Sequence, residues 1–152
     1  IEGGKGRTTD NGTHVPLIAN WKGKIKPNQN SQALIDFSDF FPTLCELASV
    51  KIDDLDLDGV SFYSELIGKK GRKKGWIHTW YNRDGGSNPR EQSQEWVRNE
   101  TYKLYVGNRF YNIVEDPKEK SPLKQKNMTL KERKIYNIFA EALGSYIAYR
   151  RE

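Results

Sequence analysis

Apolar residues recur at helical spacing in two stretches of the chain. Between Asp39 and Ser49, Phe40, Leu44, Leu47 and Ala48 fall at i, i+4, i+7 and i+8, which predicts a helix with one apolar face. Ser38 or Asp39 is placed to cap it. Pro42 then lies in the first turn, where its missing N–H has no intrahelical partner to lose. Near the C-terminus, Ile135, Phe139, Ala142, Leu143 and Tyr146 make a second stripe, and Thr129 with Glu132 has the T-x-x-E form of a capping box. A shorter helix, capped by Ser61, is predicted through Ile67. Elsewhere the period is two. Trp76 to Tyr81 alternates aromatic and polar residues. Gln94 to Arg98, Tyr102 to Val106 and Arg109 to Val114 are short and rich in Tyr, Phe and Val, with Asn99-Glu100 and Gly107-Asn108 between them. These segments predict about four antiparallel strands joined by hairpins, with one face covered by the last helix. Val15 to Trp21 is a short apolar run bounded by turn formers and predicts a buried strand, with Pro16 near its start. Lys5 to Gly12, Lys22 to Ser31 and Asn82 to Gln94 read as loops.

Composition narrows the class. The chain has 152 residues, 36% hydrophobic and 30% charged, which suits a folded module with a polar surface. No window approaches the roughly 18 apolar residues of a membrane-spanning helix. The chain starts at Ile1 rather than Met and shows no signal pattern, so it is expected to be a piece of a longer parent. Net charge is +5, with basic residues clustered from Lys69 to Lys74. Such a run suits either a polyanion-binding patch or a solvated loop. Gly68, Gly71 and Gly75 punctuate it and no aromatic lies inside it, which favours the loop. Cys45 is the only cysteine, so no internal disulfide and no zinc-type spacing exist. Leu44 and Leu47 beside it suggest a buried structural thiol.

Gly4-Lys5-Gly6-Arg7-Thr8-Thr9-Asp10-Asn11-Gly12-Thr13-His14-Val15-Pro16, followed by Trp21-Lys22-Gly23, resembles a sulfatase pattern: a Gly-Lys-Gly-x-Thr loop, then Gly-x-Arg-x-Pro, then a strand ending in Trp-Pro-Gly. Further landmarks follow in family order. Asp39-Phe40-Phe41-Pro42-Thr43-Leu44 resembles the Asp-x-x-Pro-Thr-Leu helix, and Asp58-Gly59-Val60-Ser61-Phe62 the Asp-Gly-x-Ser-Leu turn. Val97-Arg98, Tyr102-Lys103-Leu104, Phe110-Tyr111-Asn112-Ile113 and Asp116-Pro117-Lys118-Glu119 resemble the C-terminal hairpin. Each landmark alone is weak; their shared order from Gly4 to Leu123 is specific. Two departures stand out: His14 replaces a common Arg, and Lys22 replaces the usual Pro.

The resemblance implies an α+β fold: a C-terminal four-stranded antiparallel sheet packed against a long C-terminal helix, preceded by the tail of an alkaline-phosphatase-like α/β domain. Residues 1–75 would be that tail and residues 76–152 the small subdomain. It also implies that Lys5 is the catalytic-site lysine that binds sulfate. A lysine ammonium is a compact charge with three donors, suited to a sulfuryl oxygen that gains charge in transfer, and Gly4 and Gly6 allow close backbone approach. The competing reading is an ordinary solvent-exposed lysine. His14 and His78 are candidate substrate contacts; the alternatives are a residue at a strand entrance and a half-buried strand residue. Arg98 and Lys103 are expected to pair with nearby acids. Asp58, Asp116 and Glu119 read as turn residues.

Family chemistry needs a formylglycine, made from a Cys/Ser-x-Pro-x-Arg motif, and a divalent cation, usually calcium. Neither that motif nor the paired metal-binding Asp residues occur here; Cys45 is followed by Glu46-Leu47-Ala48. Calcium and formylglycine are therefore expected in the parent, and the isolated chain is expected to be inactive. The resemblance further implies a sulfated small molecule or glycan as the parent's substrate, with no membrane or nucleic-acid partner favoured, and a periplasmic or secreted parent. An unpaired strand around Leu17 would be an association hazard, so self-association is expected. A polyanion-binding module and a phosphate or phosphonate ester hydrolase of the same superfamily stay open as alternatives.

Overall fold

The computed structural model describes residues 3–69, 71, 74–82 and 93–147. Its contacts form two compact units, one of Ile1–Val15 with His78–Glu152 and one of Pro16–Ile77. A division at 75/76 does not anticipate that the first fifteen residues pack with the later unit.

In the first unit, β1 (Ile77–Asn82), β2 (Ser93–Arg98), β3 (Tyr102–Tyr105) and β4 (Phe110–Asn112) form a four-stranded antiparallel sheet in sequence order. These bounds lie within a few residues of those that alternation predicts. Pairing sets Trp96 opposite Tyr105, Arg98 opposite Lys103 and Lys103 opposite Tyr111 on one face, and Val97 opposite Leu104 and Leu104 opposite Phe110 on the other. Asn99 turns the β2–β3 connection by accepting from the Thr101 and Tyr102 amides at 2.9 and 2.7 Å. Gly107 and Asn108 turn the next one with φ of 90° and 65°, a conformation that these two residue types adopt at least cost.

The last helix runs Leu130–Ser145, and its capping box is made as expected: Thr129 accepts from the Glu132 amide, and the Glu132 carboxylate accepts from the Thr129 amide. Phe139, Ala142 and Leu143 of the stripe are buried. Phe110 meets Phe139 and Tyr136 edge-on and stacks on Tyr102, closing the core between helix and sheet.

The expectation of one covered face is corrected. All four residues of β3 are buried, including Lys103. Residues with alternating orientations are both buried only when both faces are covered. On the face away from the helix, Trp96, Tyr105, Tyr111 and Ile113 form a second core, with Tyr81 packed against it.

The second unit holds a 3-10 turn, Phe37–Asp39, leading into an α-helix, Phe40–Leu47. Asp39 takes the N-cap position of the helix, as expected, but its side chain makes no cap bond there; the capping box closes the 3-10 turn instead. Asp36 accepts from Ser38, and the Asp39 carboxylate turns back to the Asp36 amide. The expected stripe is also corrected: Leu44 is 60% exposed, whereas Pro42 and Thr43 are buried. A polar lock orients the helix instead of its apolar period. Asp39 Oδ1 accepts from the Val60 amide at 2.8 Å and from Lys74 Nζ at 2.6 Å. Thr43 Oγ1 accepts from the Phe62 amide at 3.0 Å. Gly59 fits because a Cβ there would lie 2.0 Å from the Ser38 carbonyl oxygen. The Asp-x-x-Pro-Thr and Asp-Gly-x-Ser landmarks are thus two halves of one contact. Cys45 is half-buried rather than fully buried. The short helix is Tyr63–Leu66, with Ser61 Oγ accepting from the Tyr63 amide at 3.2 Å.

The predicted strand at Val15 to Trp21 does not form. Its residues are exposed, with Ile18 at 89%, and have no strand assignment. An apolar run specifies a strand only where another strand offers its backbone, and none of the described strands pairs with this one.

Candidate functional site

The Gly-Lys-Gly segment is a tight turn. The Arg7 amide donates to the Gly4 carbonyl at 2.8 Å, and Gly6 has φ of 80°. This is the positive-φ third position that type II turns reserve for glycine. Lys5 therefore stands at the second position, on the corner, and is exposed. A single helical turn, α1 (Asp10–Thr13), follows. It folds back onto the loop: a Cβ on Gly12 would lie 2.3 Å from the Arg7 carbonyl oxygen and 2.5 Å from that of Gly4, and a Cβ on Gly4 would meet the Asn11 side chain at 2.6 Å. Gly12 thus serves a close approach of backbone to backbone, Gly4 leaves room for the Asn11 side chain, and Gly6 supplies the positive φ.

The loop covers the second face of the sheet. Lys103 Nζ donates to the Thr8 carbonyl and to Glu119 Oε1, the latter at 2.9 Å. The Tyr105 hydroxyl donates to Glu119 Oε2 at 2.5 Å and shares a 3.0 Å hydrogen bond with Thr8 Oγ1. Thr8 Oγ1 also reaches Gln94 Oε1 at 3.4 Å, and Arg98 donates to Asp10 Oδ1 at 2.5 Å. Lys103 is fully buried, with its ammonium 4.7 Å from the Trp96 ring centroid and 4.8 Å from that of Tyr105. An ammonium without water is tolerated only with paired charge and filled hydrogen bonds, which Glu119, Thr8 and the ring faces provide. Arg98 and Lys103 pair with acids as the sequence suggests. Glu119 lies in a turn, with φ of 51°, but its carboxylate is buried in this cluster, a role invisible from its turn-like neighbours.

Burial lowers the affinity of the Lys103 amine for its proton, partly offset by Glu119. Burial pushes the Tyr105 phenol well above its ordinary 10.0, reinforced by its bond to Glu119. A phenol whose folded pKa is raised contributes stability that is complete below the unfolded value and is lost as pH climbs above it. Lys103 acts in the opposite sense: its depressed folded pKa makes the charged lysine a burden that rising pH relieves. The Tyr105 displacement is the large one, so the unit should lose stability once pH passes about 10. Thermal melts between pH 8 and 11 are expected to show that fall, and Tyr105→Phe to flatten it.

The other sequence candidates are His78 and His14. His78 faces the helix side, on the opposite face of the sheet. Its Nε2 is 2.9 Å from Glu95 Oε1, and its ring stacks on Tyr146 with centroids 3.7 Å apart. These are the surroundings of a half-buried strand residue. His14 ends α1, its amide donating to the Asp10 carbonyl at 2.8 Å, and it is exposed. Of the basic run, Lys70, Arg72 and Lys73 lie outside the described residues, as does most of the Asn82 to Gln94 loop. Lys74 is not a solvated cation: it pairs with Asp36 and Asp39 at 2.9 and 2.6 Å with 8% of its side chain exposed. Among the described residues no group of three or more His, Cys, Asp or Glu is arranged to hold a metal ion, and no helix is long and apolar enough to cross a membrane.

The family described as N-sulphoglucosamine sulphohydrolase, C-terminal, matches residues 5–142. The chain is 44% identical over 70 residues to the uncharacterized sulfatase YdeN of Escherichia coli K12, covering 45% of this chain and 12% of that protein. It is 32% identical over 112 residues to the ulvan-active sulfatase of Formosa agariphila, covering 74% of this chain and 22% of that one. A solved structure of a 2-O GAG sulfatase superposes with a TM-score of 0.50 at 25% identity, over 75% of this chain and 25% of that one. The chain thus spans roughly an eighth to a fifth of the length of these curated relatives.

Proposed function

The chain belongs to the sulfatases, in the family of N-sulphoglucosamine sulphohydrolase C-terminal regions, and on that premise we propose that it supplies a sulfate-binding lysine, Lys5, to a sulfuric ester hydrolase. The observation that carries this reading is the position of Lys5: exposed on the corner of a glycine turn whose next residues, Thr8 and Asp10, are fastened to the sheet. A mobile lysine on a fixed base suits a tetrahedral anion. Its ammonium donates to a sulfuryl oxygen and offsets the charge that develops as the ester bond breaks.

Nucleophile and metal are assigned to residues outside this chain. A calcium ion takes six to eight oxygen ligands, several of them carboxylates. The described residues bring no such set together, so they do not fit the calcium. Formylglycine needs a Cys/Ser-x-Pro-x-Arg motif, which the sequence lacks. The substrate class we propose is a sulfated glycan, a reading supported by the names of the ulvan-active and 2-O GAG sulfatase relatives, and the parent is proposed to work in the periplasm or outside the cell.

The purified 152-residue chain is expected to hydrolyse an aryl sulfate no faster than buffer, with or without added calcium. Metal-dependent turnover that scales with chain concentration would overturn the assignment of the nucleophile elsewhere.

A further inference from the structure

We infer that Lys103 and Tyr105 are positioning residues for Lys5: they set the conformation of its turn from beneath, without touching the anion. The functional half of this inference rests on the reading of Lys5 as a sulfate contact. The structural half does not.

The loop has little of its own to define it. Its internal frame is the Arg7-to-Gly4 bond, the Gly12-to-Thr9 bond at 2.8 Å and one turn of helix. An isolated helical turn is unstable in water, and a glycine-rich turn loses much entropy on ordering. What holds the segment is the sheet. The Lys103 ammonium fixes the Thr8 carbonyl, three residues beyond Lys5, and the Tyr105 hydroxyl fixes the Thr8 side chain. Glu119 bridges the two donors, one carboxylate oxygen to each. The Tyr-Lys-Leu and Asp-Pro-x-Glu landmarks, which look like unrelated surface features of a hairpin, therefore meet under the Gly-Lys-Gly landmark. Trp96 and Tyr105 exclude water from the Lys103 ammonium, which strengthens its bond to the carbonyl. Arg98 and Asp10 make a second anchor at the start of α1.

The test uses Tyr105→Phe, which keeps the ring and removes the hydroxyl, and Thr8→Val, which removes its partner with little change of volume. Two readouts are taken on the chain. Amide hydrogen exchange at Arg7 and Gly12 reports the loop. Titration with inorganic sulfate, followed through the Gly4 to Gly6 amide signals, reports the anion site. Loss of one hydrogen bond corresponds to about fivefold in a local opening equilibrium. Each variant is therefore expected to speed exchange at Arg7 and Gly12 about fivefold and to weaken sulfate binding by a similar factor. Phe139→Leu, destabilising from the helix side, is expected to change neither. Lys5→Met is expected to abolish the sulfate response while leaving exchange unaltered. If Lys5→Met binds sulfate as well as the parent chain does, the sulfate reading of Lys5 falls, and the exchange rates alone decide the positioning. If exchange and sulfate affinity are both unchanged in Tyr105→Phe and Thr8→Val, the positioning inference is overturned. Should Tyr105→Phe not fold, Thr8→Val carries the same comparison.

Discussion

Replacing Lys103 by methionine should destabilise the sheet unit by about 3–5 kcal/mol, the loss typical of breaking a buried pair from one side. The reason lies less in the attraction that disappears than in the charge left behind. Glu119 keeps a carboxylate in a place with 6% side-chain exposure, held only by the Tyr105 hydroxyl. The Thr8 carbonyl loses its donor as well. Urea unfolding monitored by Trp fluorescence reads the change directly, since Trp96 borders the Lys103 ammonium. The double variant Lys103→Met with Glu119→Leu is expected to recover a large part of the loss, because a buried ion pair replaced whole by apolar groups is often close to neutral. A single variant within about 1 kcal/mol of the parent chain would mean that the pair is solvated, as exposed pairs are.

Local features of the fold were legible in the sequence because local physics specifies them. The Thr129–Glu132 box needs only residues three apart, and the Phe139, Ala142, Leu143 stripe only a helical period. The strands, too, announce themselves by alternation and by Asn99 and Gly107-Asn108 between them. Long-range partners did not show. Lys74 reads as one more cation in a charged run, yet Asp36 and Asp39, more than thirty residues earlier, bury it. The helix at Phe40–Leu47 follows the polar lock of Asp39 and Thr43 rather than its apolar stripe. Val15 to Trp21 has the composition of a strand but pairs with no described strand, and composition cannot supply a partner.

At the candidate site, the motif pointed to Lys5 and the chain's own geometry explains its glycines. The motif does not say what holds this loop in place. In the structure its support is the sheet of its own unit, through Lys103, Tyr105 and Arg98. A signal for this did exist. In Tyr102-Lys103-Leu104-Tyr105, strand alternation puts Lys103 on the same face as Tyr105, and hairpin pairing brings Trp96 and Tyr111 to that face. A cation ringed by aromatics on a face without a helix calls for a cover. The N-terminal loop is that cover.

The central claim is that Lys5 binds the sulfate group, and it is tested most directly by Lys5→Met in the full-length protein that carries this chain. Removing one preorganised donor to developing negative charge typically slows turnover by about 10²–10³-fold. We expect kcat/KM for a sulfate ester to fall by that order, about 2.7–4 kcal/mol of transition-state stabilisation. The melting temperature should stay unchanged, because Lys5 is exposed on the corner of its turn. A folded Lys5→Met enzyme with kcat/KM within about twofold of the parent would contradict the account.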